Sequence, residues 1–269
     1  VRKTKAMVSL RTPQWRTNLW RASWRNATNL LMPPRCVLCE AELDEAASRQ
    51  VCALCASELT GEAHPACGRC GMRVPTSGRQ DCAHCRTRRF RFDRTFRLGE
   101  YIGPLRDAVL RAKTIAGEPI AAVLGGLLAD AVRTELHNGF DDADPREQFD
   151  LVTCVPAYWW RRLRRGTNSA AVPAQRLARD VGLPALLDLL LCLLNIEKQS
   201  ALSLDQRRRN VRRAFRTSWG YQIADARILL VDDVMTSGAT AHEIAKVLRI
   251  AGAASVAVAV AGRALGPDW

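Results

Sequence analysis

No acidic residue occurs among the first 35 positions, which hold eight lysines and arginines (Arg2, Lys3, Lys5, Arg11, Arg16, Arg21, Arg25 and Arg35). More than half of the net charge of +13 therefore belongs to an amino-terminal arm, which excludes a uniformly basic protein. No apolar run is long enough to span a bilayer: the longest, residues 183–196, is interrupted by Asp188. No apolar stretch of secretory length follows the basic start, so the chain is expected to be cytoplasmic, with no transmembrane segment. No loop ends in Gly-Lys-Ser/Thr, which argues against a nucleotide P-loop. Only Asp268 follows Asp233, which leaves too few aspartates for the acidic cluster of a receiver domain. What remains is a globular composition, 48% hydrophobic and 25% charged over 269 residues, enough for one or two domains.

In a reducing compartment, ten cysteines point to metal rather than to disulfides. Eight of them form four Cys-x-x-Cys knuckles, Cys36/Cys39, Cys52/Cys55, Cys67/Cys70 and Cys82/Cys85, which recur every 15 or 16 residues. One knuckle places two thiolates on one side of a tetrahedral ion and a second completes the site, so four knuckles predict two structural Zn2+ sites. The segment is poor in large apolar residues, so metal binding would supply its folding energy. Sequential pairing is expected, first knuckle with second and third with fourth; a cross-brace is the alternative. With eight thiols at hand, His64 and His84 are expected to be bystanders. Cys154 and Cys192 lie in apolar runs and read as buried thiols.

The chain is organised around a later stretch. Ile228, Leu229, Leu230 and Val231 form an apolar run suited to a buried parallel strand, and Asp232 and Asp233 follow at its carboxyl end. Next come Thr236, Ser237, Gly238, Ala239 and Thr240, then a helical pattern over residues 241–250. Backbone N–H groups of a tight loop at a helix N-terminus favour a phosphate, and Gly238 permits positive φ and close approach. Two carboxylates repel a phosphate but suit the vicinal hydroxyls of a ribose, which donate to them. A sugar carrying a 5-phosphate would satisfy both halves. The alternative is an ordinary βα turn with two solvated acids.

The rest of the chain supports an α/β fold. Residues 92–101 read as an edge strand, 104–113 and 119–136 as helices, 149–155 as a buried strand, 168–181 as a helix capped by Asn168, and 254–261 as a final strand. Residues 186–194 fit either a strand or a buried helix, and the basic stretch 199–215 has helical spacing. The order predicts a doubly wound, mostly parallel sheet with a ligand site at its carboxyl edge, preceded by a small cysteine-rich domain. The expected boundaries are an arm at 1–33, a double zinc ribbon at 34–90 and the α/β domain at 91–269. Four arginines (Arg161, Arg162, Arg164 and Arg165) stand just beyond the 149–155 strand and suit pyrophosphate; a solvated basic loop is the alternative. In the arm, Trp20, Trp24, Ala27 and Leu31 share one helical face. Such a helix could rest on an anionic inner-membrane surface or stack on single-stranded DNA, or it could dock on the next domain or stay an extension.

Together these pieces resemble the ComF family of late-competence proteins, in which a cysteine-knuckle domain is fused to a type I phosphoribosyltransferase domain. The resemblance covers roughly residues 31–263. It rests on Leu31-Met-Pro-Pro-Arg-Cys36, the four knuckles, Phe92-Asp93-Arg94, Lys113, Val155-Pro156, Arg165-Gly166-x-Asn168, Gln199-x-x-Leu202, Arg207-x-x-Asn210-Val211, Ala214-Phe215 and Asp232 to Thr240. It implies a phosphoribosyl pyrophosphate (PRPP) ligand with Mg2+ and a glycosyltransferase-type site. Asp232 and Asp233 would hold the ribose hydroxyls, Thr236 to Thr240 the 5-phosphate, and Lys113, Arg161 and Arg165 the pyrophosphate side. It also implies a role with the competence machinery in taking up single-stranded DNA. The sequence departs from the family pattern at Thr114, Thr167, Ser169, Leu191, Cys192, Leu194 and Ile196. The ribose-phosphate motif is intact and the pyrophosphate and acceptor side is altered, so the resemblance implies binding and leaves turnover open.

Overall fold

The computed structural model describes residues 33–44, 49–61, 64–75, 82–138, 143–158, 168–194 and 211–264. Residues 1–32 of the arm, Arg161 and Arg165 with the rest of their loop, and the stretch from Gln199 to Asn210 lie outside the described residues.

Ile228, Leu229, Leu230 and Val231 are fully buried in β5 (Arg227–Met235), the central strand. It pairs in parallel with β2 (Leu151–Cys154) on one side and β6 (Ser255–Arg263) on the other, and β1 (Arg94–Glu100) adds in parallel to β6. The sheet order is β1-β6-β5-β2. Side chains alternate between two cores, which is why the run is apolar without interruption. Leu229 and Val231 pack under α3 (Gly103–Ala112), α4 (Glu118–His137) and α6 (Ala171–Val181), while the one-turn α5 (Pro145–Gln148) leads into β2. Ile228 and Leu230 pack under α7 (Ala239–Ile250). Helices on both faces of a parallel sheet are the doubly wound arrangement expected from the sequence.

By length and composition α4 could cross a membrane, but it lies in the core with Ile120, Val123, Leu124, Leu127, Leu128 and Val132 buried. It meets α6 closely at Gly125, where a Cβ would stand 2.5 Å from the Pro173 carbonyl oxygen.

Three details differ from expectation. Asn168 does not cap α6, which starts after Ala170; its Oδ1 accepts from Ala170 N and its Nδ2 donates to Val155 O at 3.2 Å. It thereby ties the helix entry to the carboxyl end of β2. The 186–194 run holds β3 (Leu190–Cys192), antiparallel to β4 (Phe215–Thr217), so Phe215 is in a strand and not at the end of a helix. Cys154 is buried, but Cys192 is only partly so, at the end of β3, whose first residue Leu190 is buried.

The repeat at the amino-terminal side gives two similar units. Each pairs a knuckle hairpin, with bridges Arg35↔Glu42 and Ala66↔Arg73, with a short helix opening at the following knuckle: α1 (Ala53–Thr60) and α2 (Ala83–Arg86). The first unit docks on the α3–α4 layer, where Arg111 donates to the carbonyls of Val37 and Leu38 and Arg49 pairs with Asp130. The second covers the exposed edge of β1: Thr95 N donates to Gly68 O and Thr95 Oγ1 to Arg69 O.

Candidate functional site

Asp232 and Asp233 fall in the last four residues of β5. Adjacent strand residues start toward opposite faces, yet both acids line one small space with Lys113, Ser169, Pro173 and Ala261. Its volume among the described residues is about 10 Å³, room for roughly one water. Lys113, at the carboxyl end of α3, puts Nζ 3.0 Å from Asp233 Oδ2. Ser169, just before α6, donates from Oγ to the same oxygen at 3.1 Å. Each acid also folds back on the strand: Asp232 Oδ1 accepts from Asp233 N and Asp233 Oδ1 from Val234 N.

The electrostatics are lopsided. Burial, reinforced by the Asp233 charge, pushes the Asp232 carboxyl well above the usual carboxylate range. Burial opposes the charge on Lys113, but Asp233 outweighs it and holds the ammonium above the ordinary lysine value. Two carboxylates and one lysine leave a surplus of acceptors, which suits a group bringing hydroxyl donors or a hard cation.

The loop beyond the acids closes as a helix N-terminus. Gly238 takes the left-handed conformation (φ 74°) as N-cap of α7, and its carbonyl accepts the first helical bond from His242 N. Ser237 is buried, and its Oγ accepts from Ala239 N at 3.4 Å. Thr236 and Thr240 flank the turn. The structure thus gathers Lys113, Asp232, Asp233 and the 236–240 loop at one sheet edge, with Lys113 against an acid. Arg161 and Arg165 lie outside the described residues.

The cysteines converge as two sequential tetrads, Cys36, Cys39, Cys52, Cys55 and Cys67, Cys70, Cys82, Cys85, each with sulfurs within 4.8 Å of one another. Neighbouring sulfurs stand at 3.7 Å (Cys39–Cys52), 3.8 Å (Cys67–Cys85) and 3.5 Å (Cys70–Cys82). A tetrahedral zinc with bonds of about 2.3 Å sets sulfurs about 3.8 Å apart, so both tetrads fit the ion. Within the second tetrad a hydrogen bond from Cys70 draws Cys67 down to about 4, while that bond and burial push Cys70 up. Neither His64 nor His84 joins a tetrad.

Sequence reasoning missed four residues at the site. Ser169 stood out only as an unusual residue after Asn168. Arg263, Arg88 and Phe90 gave no such signal: Arg263 donates to the carbonyls of Cys70, Met235 and Thr236, Arg88 donates to that of Ser237, and Phe90 lies beside Gly238, all contacts made with residues far along the chain.

A double zinc unit joined to a parallel α/β domain with an acid pair before a glycine turn and a helix defines a class, the zinc-ribbon proteins with a phosphoribosyltransferase-type domain. The chain matches the double zinc ribbon domain over residues 27–86 and the phosphoribosyl transferase domain over residues 167–264. It is 32% identical over 228 residues to Competence protein F of Haemophilus influenzae, covering 83% of this chain and 94% of that one. It is 28% identical over 230 residues to the DNA utilization protein YhgH of Escherichia coli, covering 85% and 96%. Among solved structures, the glutamine PRPP amidotransferase of B. subtilis is similar at 23% identity and a TM-score of 0.36, over 56% of this chain and 30% of that one. The chain belongs to the ComF family.

Proposed function

We propose that the carboxyl edge of the sheet binds a 5-phosphorylated ribose, PRPP or a close relative, together with Mg2+. The observation that carries this reading is the acid pair Asp232 and Asp233 ending β5 directly before a left-handed Gly238 turn that opens α7. The acids would accept from the ribose hydroxyls, and the N–H groups of residues 236–240 would take the 5-phosphate. Lys113, Arg161 and Arg165 would face pyrophosphate. The acceptor surplus beside Asp232 and Asp233 fits Mg2+, which supplies charge stabilisation for a departing pyrophosphate. In phosphoribosyl transfer the bond from ribose C1 to pyrophosphate breaks and one to an acceptor nucleophile forms. The acids would hold the sugar as positive charge develops at C1.

The setting proposed is the cytoplasm, in DNA uptake during natural transformation, with the 34–90 ribbons and the 91–269 domain acting together. The name of one relative, Competence protein F, and that of another, a DNA utilization protein, support this setting. A second reading, a single-stranded-DNA-binding uptake factor with a non-catalytic pocket, is favoured by the concentration of eight basic residues and no acid in positions 1–35. Calorimetric titration with PRPP and with ribose 5-phosphate, each with Mg2+, tests the first reading, and pyrophosphate release tests turnover. Binding without release supports the second reading; no binding of either sugar removes the first.

A further inference from the structure

We infer that the second zinc ribbon shapes the phosphate loop from behind, with Arg263 as the positioning residue. The inference rests on the ribose-phosphate reading of that loop. Arg263 ends β6 and is 1% exposed. Its Nε donates to Cys70 O at 2.8 Å, a carbonyl inside the third knuckle. Its Nη1 donates to Met235 O and Ala264 O, both at 2.8 Å, and to Thr236 O. Arg88, beside the fourth knuckle, donates to Ser237 O at 3.4 Å. Three successive loop carbonyls, of Met235, Thr236 and Ser237, are therefore held by guanidinium groups on the ribbon side.

A trans peptide points its N–H opposite to its C=O. Holding those three carbonyls toward the ribbon turns the N–H groups of Thr236, Ser237 and Gly238 the other way, into the open side of the loop. Successive N–H groups facing one side make an anion-binding nest. Phe90 closes the back: it stacks on Phe92 at 4.6 Å, contacts His84 of the ribbon and His242 of α7, and takes a hydrogen bond from Arg69 on its carbonyl. The buried Arg263 charge also has a counterpart. Four thiolates outweigh one divalent ion, so a loaded tetrad is anionic, and Arg263 lies against it through Cys70 O. Among the described residues the first ribbon instead packs against α3, α4 and β1.

The test compares three variants of the full chain: Arg263→Lys, which keeps the charge but not the fork; Cys82→Ser in the second tetrad; and Cys39→Ser in the first. Zinc content, hydrogen exchange at the bonded amides of Ala239 and His242 and ribose 5-phosphate affinity are measured for each. Arg263→Lys is expected to keep both zinc ions yet exchange at least about tenfold faster at those amides. Cys82→Ser should lose one zinc ion and exchange equally fast there, and both should bind ribose 5-phosphate about tenfold or more weakly. Cys39→Ser should leave loop exchange near wild type. Unchanged exchange in Arg263→Lys and Cys82→Ser overturns the inference, as does equal opening in Cys39→Ser, which would mark general destabilisation. If Arg263→Lys does not fold, the contrast between the two cysteine variants decides. Failure of the wild type to bind ribose 5-phosphate removes the ligand reading alone, because exchange is measured without ligand.

Discussion

Lys113 Nζ stands 3.0 Å from Asp233 Oδ2, while Asp232, one residue earlier, is pushed by burial and by Asp233 toward its neutral form. The two acids are therefore unequal in the free protein: one is paired, the other strained when charged.

Asp232→Asn is expected to stabilise the free protein at neutral pH. A raised folded-state pKa favours folding fully below the ordinary carboxylate value of about 4, and that advantage is lost as pH rises through the folded value. The difference in stability between variant and wild type should thus be small near pH 4 and grow with pH. At pH 7 it should reach about 1 kcal/mol or more, read as roughly 2–4 °C in Tm per kcal/mol. The same variant should bind PRPP at least about tenfold more weakly. A Tm below wild type at pH 7 would place Asp232 in a stabilising network.

Lys113→Met separates the two ends of the proposed ligand. A lysine that serves pyrophosphate should matter to PRPP and not to ribose 5-phosphate. PRPP affinity is expected to fall about tenfold. Ribose 5-phosphate affinity should hold or rise, since the lysine no longer competes for Asp233. Equal losses for both ligands would assign Lys113 to keeping Asp233 in place.

The parts legible in the sequence were those whose cause is local. The uninterrupted Ile228 to Val231 run, followed by acids and small residues, can hardly be anything but a buried strand entering a helix. The 15- and 16-residue knuckle spacing made sequential tetrads the simplest pairing. What stayed hidden depends on partners far along the chain. Phe215 continues a basic helical pattern, and only its pairing with Cys192 makes it a strand residue. Arg263 lies beyond the 254–261 strand read from the sequence, and only the fold brings Cys70 O and Met235 O, 193 and 28 residues away, to its guanidinium. Asn168 has the right type for a cap, yet Val155 O claims its amide.

Metal analysis should find two zinc ions per chain, and mass spectra from a reducing host should show no disulfide among the eight knuckle cysteines. Chelation should lower Tm markedly, because both ribbons share the cores of the α/β domain: Cys36 and Cys55 in one, Cys67, Cys70 and Cys82 in the other. One zinc ion or none would overturn the paired-tetrad reading.

Deleting residues 1–30 removes seven of the basic residues of the arm. The truncated chain should keep two zinc ions and its Tm, but bind single-stranded DNA and anionic vesicles more weakly, with a shallower dependence on salt. A large drop in Tm would show instead that the arm is a docked structural helix.

Gly238 serves two demands, and a double-mutant cycle with Phe90 separates them. Its φ of 74° strains any residue with a Cβ, at about 1–2 kcal/mol. A Cβ there would also meet Phe90 Cε1 at 3.0 Å, so the space beside this glycine is filled by the ribbon side. Gly238→Ala should therefore destabilise the protein through both strain and contact, and weaken ribose 5-phosphate binding. Phe90→Leu in the Gly238→Ala background relieves the contact but not the backbone strain. The pair should show a coupling energy of about 0.5 kcal/mol or more in stability, the double variant losing less than the sum of the two singles. Additive losses would mean that the loop and Phe90 yield independently, and that Gly238 is needed only for its conformation or for the ligand's approach.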